Sequence, residues 1–217
     1  KVSFAMVSAM SLDANKASAT ARLTAYDVVR YDQQGCYSPH MVFVEQGGSA
    51  TPERFAQYLA HELAAFDKKF PRRSLNIAEA SSIATWRHAE EMTTGGQVFG
   101  EESGAWTVSY QCEDKKFLPS GLNRTIRVVS VEALADVAAI VAPFKAILQT
   151  AGIAAPPTEL FSLSAALGAV GVTRVCALGD MTTPEAGWHH DGRFNLLDLV
   201  AITEVDGRAE RAADCLA

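Results

Sequence analysis

The sequence predicts an α/β fold in which a mostly parallel sheet is flanked by helices. Two observations support this prediction. A strand, a helix, a second strand and a second helix alternate over roughly the first 70 residues, which is typical of parallel pairing. The predicted strands, 2–8 and 41–45, are also largely apolar, as strands covered by helices on both faces usually are.

The first two helices have recognisable starts and apolar faces. Apolar residues, mostly alanine, recur at three- and four-residue steps over 14–28 and mark one face of the first helix, which Ser11 or Asp13 can cap. This helix ends near residues 31–34. The second helix begins after Thr51, because the threonine hydroxyl can cap it and the proline that follows suits the first helical position. Its apolar face comprises Phe55, Leu59, Leu63 and Phe66.

The middle of the chain predicts a third helix and two polar strands. The helix runs over about 76–92. Its charged face, which we expect in solvent, carries His88, Glu90 and Glu91. Two alternating segments follow, at 106–110 and 124–129, and their partial polarity predicts strands that are less buried than the first two.

The last third of the chain alternates again. The predicted elements are a helix over 131–141, a strand over 147–151, a helix over 156–169 and a strand over 172–178. Loop 179–192 then combines glycines with two histidines, an aspartate and a tryptophan, so it is a candidate functional segment. An amphipathic or buried segment over 194–200 and a polar tail over 204–217 complete the chain.

Composition excludes several classes of function. The 217 residues suffice for one large domain, or for one domain with an appendage, and 48% of them are hydrophobic. A net charge of −6 predicts no binding to nucleic acid or to an anionic membrane. The longest apolar stretch, 137–148, is interrupted by Pro143 and Lys145, so no membrane span is predicted.

Common nucleotide, hydrolase and metal motifs are missing from the sequence. There is no GxGxxG or P-loop fingerprint, no GxSxG elbow and no HExxH pair. The four cysteines, at 36, 112, 176 and 215, form no CxxC or Cys/His cluster, so we expect neither a metal site nor a disulfide framework. Free thiols fit a reducing compartment, which predicts a cytoplasmic protein.

Cys36 is the main catalytic candidate. It follows Gly35 and shortly precedes Pro39, in the loop between the first helix and the second strand. A thiol held at such a loop can act as a nucleophile, and its own N–H can face a developing oxyanion. The alternative is that Cys36 is a small buried hydrophobe, as most free cysteines are.

Five histidines are candidate bases for this thiol: His40, His61, His88, His189 and His190. His40 follows Pro39 and starts the outgoing strand, which favours a structural role. His189 and His190 are adjacent, so at most one of them faces a given cleft if the loop is extended. The Asp191-Gly192 pair after them suits an ordinary turn equally well.

The segment from Asp32 to His40, followed by a hydrophobic strand that ends in glutamate, resembles the nucleophile segment of LuxC-type fatty acyl-CoA reductases. That family is a branch of the aldehyde dehydrogenase superfamily. The resemblance continues in chain order at Trp106-Thr107-Val108, Asn123-Arg124-Thr125-Ile126, Leu148-Gln149-Thr150-Ala151-Gly152, Arg174-Val175, Leu178-Gly179-Asp180-Met181 and Gly187-Trp188-His189-His190-Asp191-Gly192.

The resemblance implies a fold and a domain arrangement. Residues 1–217 would form the catalytic, C-terminal portion of an aldehyde-dehydrogenase-like protein, with strands near 105–130 resembling those that the superfamily uses partly for oligomerisation. A Rossmann-type NADPH domain is expected before residue 1, since the chain starts with Lys1 directly inside a strand. We therefore expect a homo-oligomer whose cofactor is bound mainly outside this chain.

The resemblance also implies a chemistry. Cys36 would attack an acyl thioester from an acyl-CoA or acyl-protein donor, and NADPH would reduce the acyl-enzyme to a fatty aldehyde, without a metal. Trp188, His189 and His190 would line the acyl tunnel or its mouth. The aldehyde would serve light emission or a general aldehyde supply. Two alternatives stay open: a short-chain acylating aldehyde dehydrogenase, and a non-catalytic oligomerisation or docking module.

Overall fold

The computed structural model, which describes residues 1–101 and 104–216, confirms the α/β prediction. One seven-stranded sheet has the strand order β3-β4-β5-β2-β1-β6-β7. All its neighbouring strands are parallel except the edge pair β3–β4, which is antiparallel. The strands are β1 Val2–Val7, β2 Pro39–Glu45, β3 Gln97–Gly100, β4 Thr107–Gln111, β5 Thr125–Val131, β6 Leu148–Ala154 and β7 Arg174–Ala177.

The second and third helices begin at side-chain caps, whereas the first begins at Ala17 with no side-chain cap, so the prediction that Ser11 or Asp13 caps it is wrong. The Thr51 hydroxyl accepts a hydrogen bond from the Arg54 N–H, and Asn76 and Glu79 form a reciprocal capping box. The helices are α1 Ala17–Val29, α2 Pro52–Lys69, α3 Ile77–Glu91, α4 Val137–Val141, α5 Pro157–Ala169 and α6 Gly207–Asp214. The first five connect or flank the strands, so each face of the sheet is covered by helical structure.

Each face of the sheet has its own hydrophobic core. Alternate residues of β1 and β2 point to opposite faces, because side chains in a strand repeat every two residues. Ala5 and Val42 pack with α1 and α2 on one face, whereas Phe4 and Phe43 pack with α4 and α5 on the other. The Phe4 and Phe43 rings make an edge contact at 5.8 Å.

The pairing of the central strand β1 is irregular at its amino end. The register between β1 and β2 shifts between Ser3 and Ala5, and the register between β1 and β6 shifts between Val2 and Phe4. Ser3 therefore lies where β1 departs from regular pairing with both neighbours.

The prediction that segments 106–110 and 124–129 are less buried is wrong. They form β4 and β5, two parallel strands of the same sheet, and every residue of both strands is buried. Three of their polar side chains face a buried carboxylate, that of Glu90, which accepts hydrogen bonds from Ser109 and Gln111 and pairs with Arg127. Glu90 is only 4% exposed, so its predicted place on a solvated face is also wrong.

Two other expectations need correction. The helix predicted over 131–141 is shorter, because β5 extends to Val131 and α4 covers only Val137–Val141. The segment 194–200, predicted to be amphipathic or buried, exposes its large apolar side chains. The predicted polar tail is exposed and contains the helix α6.

The chain divides into two compact units, Lys1–Ala186 and Gly187–Ala217. The first unit contains the entire sheet. The second consists of short turns and α6. Within the described residues, no helix has the length and apolar character needed to cross a membrane.

Candidate functional site

Cys36 lies in the loop that connects α1 to β2, and therefore at the amino edge of the parallel sheet. It is partly exposed and forms no disulfide. Its carbonyl oxygen accepts a hydrogen bond of 2.7 Å from the Ser3 hydroxyl, which in turn accepts one of 3.1 Å from the Thr150 N–H. One fully buried serine thus connects the backbone of the cysteine to β1 and β6.

Two left-handed turns adjoin this loop. Tyr31, Asp32 and Gln33, just before Cys36, have φ values of 53°, 48° and 66°. Leu122, Asn123 and Arg124, just before β5, have φ values of 59°, 51° and 71°. Residues other than glycine rarely adopt this conformation, and each costs of order 1 kcal/mol unless its surroundings hold it in place.

Gln33 joins the two turns through its side-chain amide. The amide nitrogen donates to the carbonyl oxygens of Pro39 at 2.7 Å and Thr125 at 2.8 Å, and the amide oxygen accepts from the Thr125 N–H at 3.1 Å. The side chain is fully buried. The Gln33 amide therefore hydrogen-bonds the beginnings of β2 and β5 in the way that a backbone peptide group would.

An ion-pair network makes the second link between the turns. Arg124 donates through Nε and Nη2 to Oδ1 of Asp32, both at 2.7 Å, and through Nη1 to Oδ1 of Asp67 on α2, also at 2.7 Å. A third link runs from the Gln34 amide to the Asn123 side chain at 3.1 Å. Three successive residues before Cys36 are thus bonded to three successive residues at the start of β5.

Gly35 allows the turn around the thiol to close. The Ser38 N–H donates to the Gly35 carbonyl oxygen at 2.9 Å, and the Tyr37 ring covers the glycine. A methyl group at Gly35 would lie 2.5 Å from Cε2 of that ring. Any larger residue at this position requires the ring to move.

His40 has the structural role that its position predicts. It is buried, and its Nδ1 accepts a hydrogen bond from the Ser120 N–H at 3.2 Å. Burial lowers the pKa of His40 to about 4, so the imidazole is neutral at pH 7. His61 and His88 are exposed on α2 and α3. Within residues 1–101 and 104–216, the Cys36 thiol makes no hydrogen bond to an imidazole.

The second unit contains Trp188, His189 and His190. The rings of Trp188 and His190 contact each other at 5.0 Å, and those of His189 and Phe194 at 4.9 Å. The Asn195 amide nitrogen donates to the Trp188 carbonyl oxygen at 3.0 Å. The two adjacent histidines thus contact different aromatic partners, and their role at an acyl tunnel stays a prediction.

Asp27 is a notable buried group that sequence analysis did not identify. It lies on α1, is fully buried, and accepts hydrogen bonds from the N–H groups of Gly179 at 2.6 Å and Met181 at 3.1 Å. Burial raises the pKa of Asp27 to about 7. The sequence signal for this group was its position on the apolar face of α1, next to Val28, because a carboxylate buried there needs hydrogen-bond partners.

The first strand–helix connection does not fit a dinucleotide. Residues 8–16 contain no glycine, and the carboxylate of Glu45 occupies the donors there, accepting from the Ser8 hydroxyl at 3.2 Å and the Ala9 N–H at 2.9 Å. A pyrophosphate at this turn would need those donors and a close backbone approach. For the part of the chain that the structure describes, no group of three or more His, Cys, Asp or Glu could hold a metal ion.

Solved structures with a similar fold include several aldehyde dehydrogenases. A NAD-dependent aldehyde dehydrogenase from Burkholderia multivorans has a TM-score of 0.59 and 15% identity, with 81% of this chain and 35% of that chain covered. A NAD-dependent benzaldehyde dehydrogenase from Corynebacterium glutamicum has a TM-score of 0.58 and 15% identity, with 90% of this chain and 39% of that chain covered. The glyceraldehyde-3-phosphate dehydrogenase GapN from Methanocaldococcus jannaschii, complexed with NADP, has a TM-score of 0.60 and 13% identity, with 88% of this chain and 42% of that chain covered.

The chain therefore has the aldehyde dehydrogenase fold and spans 35–42% of the length of these three proteins. No curated protein sequence matches it. The profile of the acyl-CoA reductase (LuxC) family matches residues 1–202, which is most of the chain. The protein accordingly belongs to the acyl-CoA reductase (LuxC) family.

Proposed function

We propose that this chain carries the nucleophile of a reductase that converts a fatty acyl-CoA to the fatty aldehyde, with NADPH as reductant and Cys36 as the acylated residue. The observation that carries the proposal is the geometry of Cys36. The residue is partly exposed, whereas its backbone is held by Ser3 and by the two linked turns. Such a thiol is accessible to a substrate and positioned before the substrate arrives.

In the proposed acylation, Sγ of Cys36 forms a bond to the thioester carbonyl carbon while the bond from that carbon to the sulfur of coenzyme A breaks. The proton of the Cys36 thiol is balanced by protonation of the departing coenzyme A thiolate. The backbone N–H of Cys36 donates to no other group in the described ranges, so it is available to the oxyanion.

No imidazole of the first unit assists this step in the proposal. His40 is neutral, buried and bonded to Ser120. Cysteine needs such a base less than serine does, because part of the thiol is ionised near neutral pH and the thiolate is a strong nucleophile.

The reduction step depends on groups outside this sheet. The nicotinamide would supply a hydride to the acyl carbon. The bond from that carbon to Sγ of Cys36 would then break, releasing the aldehyde and returning the cysteine as a thiolate. Because the first strand–helix turn does not fit a dinucleotide, we assign NADPH to a Rossmann-type domain outside residues 1–217. Trp188, His189 and His190 complete the proposal as residues of the acyl tunnel. The strands near 105–130, β4 and β5, are buried within the sheet and are therefore not proposed as the homo-oligomer contact.

The test separates acylation from reduction. The full-length protein is incubated with a long-chain acyl-CoA without nicotinamide, and the intact mass and the modified peptide are measured. We expect an acyl adduct on Cys36 that is absent in Cys36→Ala, persists in the control Cys112→Ala, and leaves as aldehyde when NADPH is added. Cys112 is a suitable control because it is also a partly exposed free thiol.

Two results would favour the alternatives. Faster acylation by acetyl-CoA than by long-chain thioesters would indicate a short-chain acylating aldehyde dehydrogenase. No adduct with any chain length, in folded protein, would remove the reductase proposal and leave a docking or oligomerisation module.

A further inference from the structure

A cavity of about 370 Å³ lies beside the cysteine loop, between the C-terminal ends of α1 and α2. It shares Tyr31 and Asp32 with the left-handed turn that precedes Cys36. The full lining is Tyr26, Val29, Arg30, Tyr31, Asp32, Phe66, Phe70 and Arg124. The cavity belongs entirely to the first unit.

Four aromatic rings line this cavity, two from each helix end. Tyr26 and Phe66 pack at 6.1 Å between ring centroids. Tyr31 and Phe70 are 59% and 50% exposed, which is high for such large apolar groups. Exposed flat rings around a concave site provide stacking surfaces for a planar heteroaromatic group.

Three cations at this cavity, Arg30, Arg124 and Lys69, outnumber the two acids, Asp32 and Asp67, which are both bound to Arg124. The Arg30 guanidinium lies over the rings of Tyr26 and Tyr31, at 5.4 and 5.1 Å, and donates to their hydroxyl oxygens at 2.6 and 3.2 Å. Among the described residues, no carboxylate pairs with it. Asp32, the acid of the lining, is already bound to Arg124.

A second cation reinforces this charge. The Lys69 ammonium lies 5.2 Å from the centre of the Phe70 ring. A local excess of positive charge on a chain with a net charge of −6 attracts an anion selectively to this position. Rings and cations together suit a ligand that combines a flat base with a phosphate.

The cavity is within reach of Cys36. Tyr31 and Cys36 are five residues apart, so their Cα atoms can be separated by at most about 18 Å, and the left-handed turn between them shortens that distance. Coenzyme A separates its phosphorylated adenosine from its sulfur by the long pantetheine arm. A nucleotide bound in the cavity is therefore compatible with a thioester at Cys36.

We propose that this cavity binds a phosphorylated purine nucleotide, with the base against the tyrosine and phenylalanine rings and a ribose phosphate at Arg30. The inference rests on the proposed function, because that function brings two such nucleotides to the protein. One is the adenosine 3′-phosphate end of coenzyme A, and the other is the adenosine 2′-phosphate end of NADPH.

Calorimetric titration of the full-length protein tests the site with defined probes: adenosine 3′,5′-bisphosphate, adenosine 2′,5′-bisphosphate, adenosine, inorganic phosphate and dodecanoate. We expect a bisphosphate to bind and Arg30→Ala to weaken it about tenfold, since a charge-assisted hydrogen bond is lost. Phe70→Ala should also weaken it about tenfold through lost stacking. The control Arg54→Ala, which removes a guanidinium 5.0 Å from the Tyr58 ring, should bind normally.

The relative affinity of the two bisphosphates assigns the source. Tighter binding of the 3′,5′ isomer indicates coenzyme A, whereas tighter binding of the 2′,5′ isomer indicates NADPH and would overturn its assignment to a domain outside residues 1–217. The site proposal is overturned if neither bisphosphate binds, if Arg54→Ala weakens binding as much as Arg30→Ala, or if only dodecanoate binds.

A thioester without a nucleotide separates this proposal from the proposed function. We expect S-dodecanoyl-N-acetylcysteamine to acylate Cys36 equally fast in the wild type and in Arg30→Ala. Dodecanoyl-CoA, in contrast, should acylate Arg30→Ala more slowly at subsaturating concentration. If neither thioester acylates the wild type, the proposed function fails, whereas bisphosphate binding would still support the nucleotide site.

Discussion

Replacing Arg124 with methionine tests whether the link between the two left-handed turns holds Cys36 in place. Methionine keeps much of the side-chain length but removes three charged hydrogen bonds, two to Asp32 and one to Asp67, each of 2.7 Å. The Arg124 side chain is 4% exposed, and those of Asp32 and Asp67 are 14% and 21% exposed. The substitution therefore leaves two carboxylates in a partly desolvated site without their cation.

The expected loss of stability follows from this burial. Removing one partner of a buried ion pair typically costs about 3–5 kcal/mol. We expect the lower end, about 3 kcal/mol, because both carboxylates keep some contact with water and accept backbone hydrogen bonds, Asp67 from Arg72 and Asp32 from Arg73. The turn before Cys36 should also open, because its left-handed residues lose their support, and acylation of Cys36 should slow.

Urea unfolding at pH 7, followed by circular dichroism, measures the free energy of unfolding, and adduct formation on Cys36 measures the acylation rate. The matched control is Arg87→Met on α3, which removes an exposed pair with Glu91 and should cost at most about 0.5 kcal/mol. Equal losses in the two variants, or an unchanged acylation rate in Arg124→Met, would refute the reasoning.

Three further predictions concern the surroundings of this loop. Gly35→Ala should slow acylation of Cys36, since the added methyl group meets the Tyr37 ring, and the second change Tyr37→Ala should restore the rate; no rescue would contradict the steric explanation. The imidazole of His40, with its pKa lowered to about 4, should show no NMR titration between pH 5 and 8, and a midpoint in that range would disprove its burial. Asp27 has a pKa raised from 3.8 to about 7, so its protonated form stabilises the fold at low pH. The stability of the wild type relative to Asp27→Asn should therefore fall as pH rises from about 4 to about 7 in denaturant titrations, and a constant difference would contradict the raised pKa.

The sequence predicts the alternating parallel fold and the position of the cysteine loop well, because both depend on local patterns. Apolar periodicity locates α1 and β2, and the loop between them follows from where those patterns end. The cap of α2 is equally local, and the structure begins this helix directly after Thr51, as predicted.

The arrangement around Cys36 depends on partners that are distant in sequence. Gln33 and Thr125 are separated by 92 residues, and no pattern in either segment announces their contact. The left-handed turns contain no glycine, which is the usual signal for that conformation. Polarity was misleading in β4 for a related reason: a serine that faces a buried carboxylate, as Ser109 faces Glu90, has the same alternation as one that faces water.

The irregular pairing of β1 at Ser3 has a consequence for how the cysteine loop is attached to the sheet. Strand register can change only in steps of whole residues, and a slip of one residue turns every side chain of the strand to the opposite face of the sheet. Cys36 is attached to the sheet by the hydroxyl of Ser3, at the point where the ladder has already departed from its regular spacing. That bond is made by a side chain and lies outside the ladder. The support of the Cys36 backbone can therefore change at one side chain, that of Ser3, while the six parallel strands of the sheet keep their register.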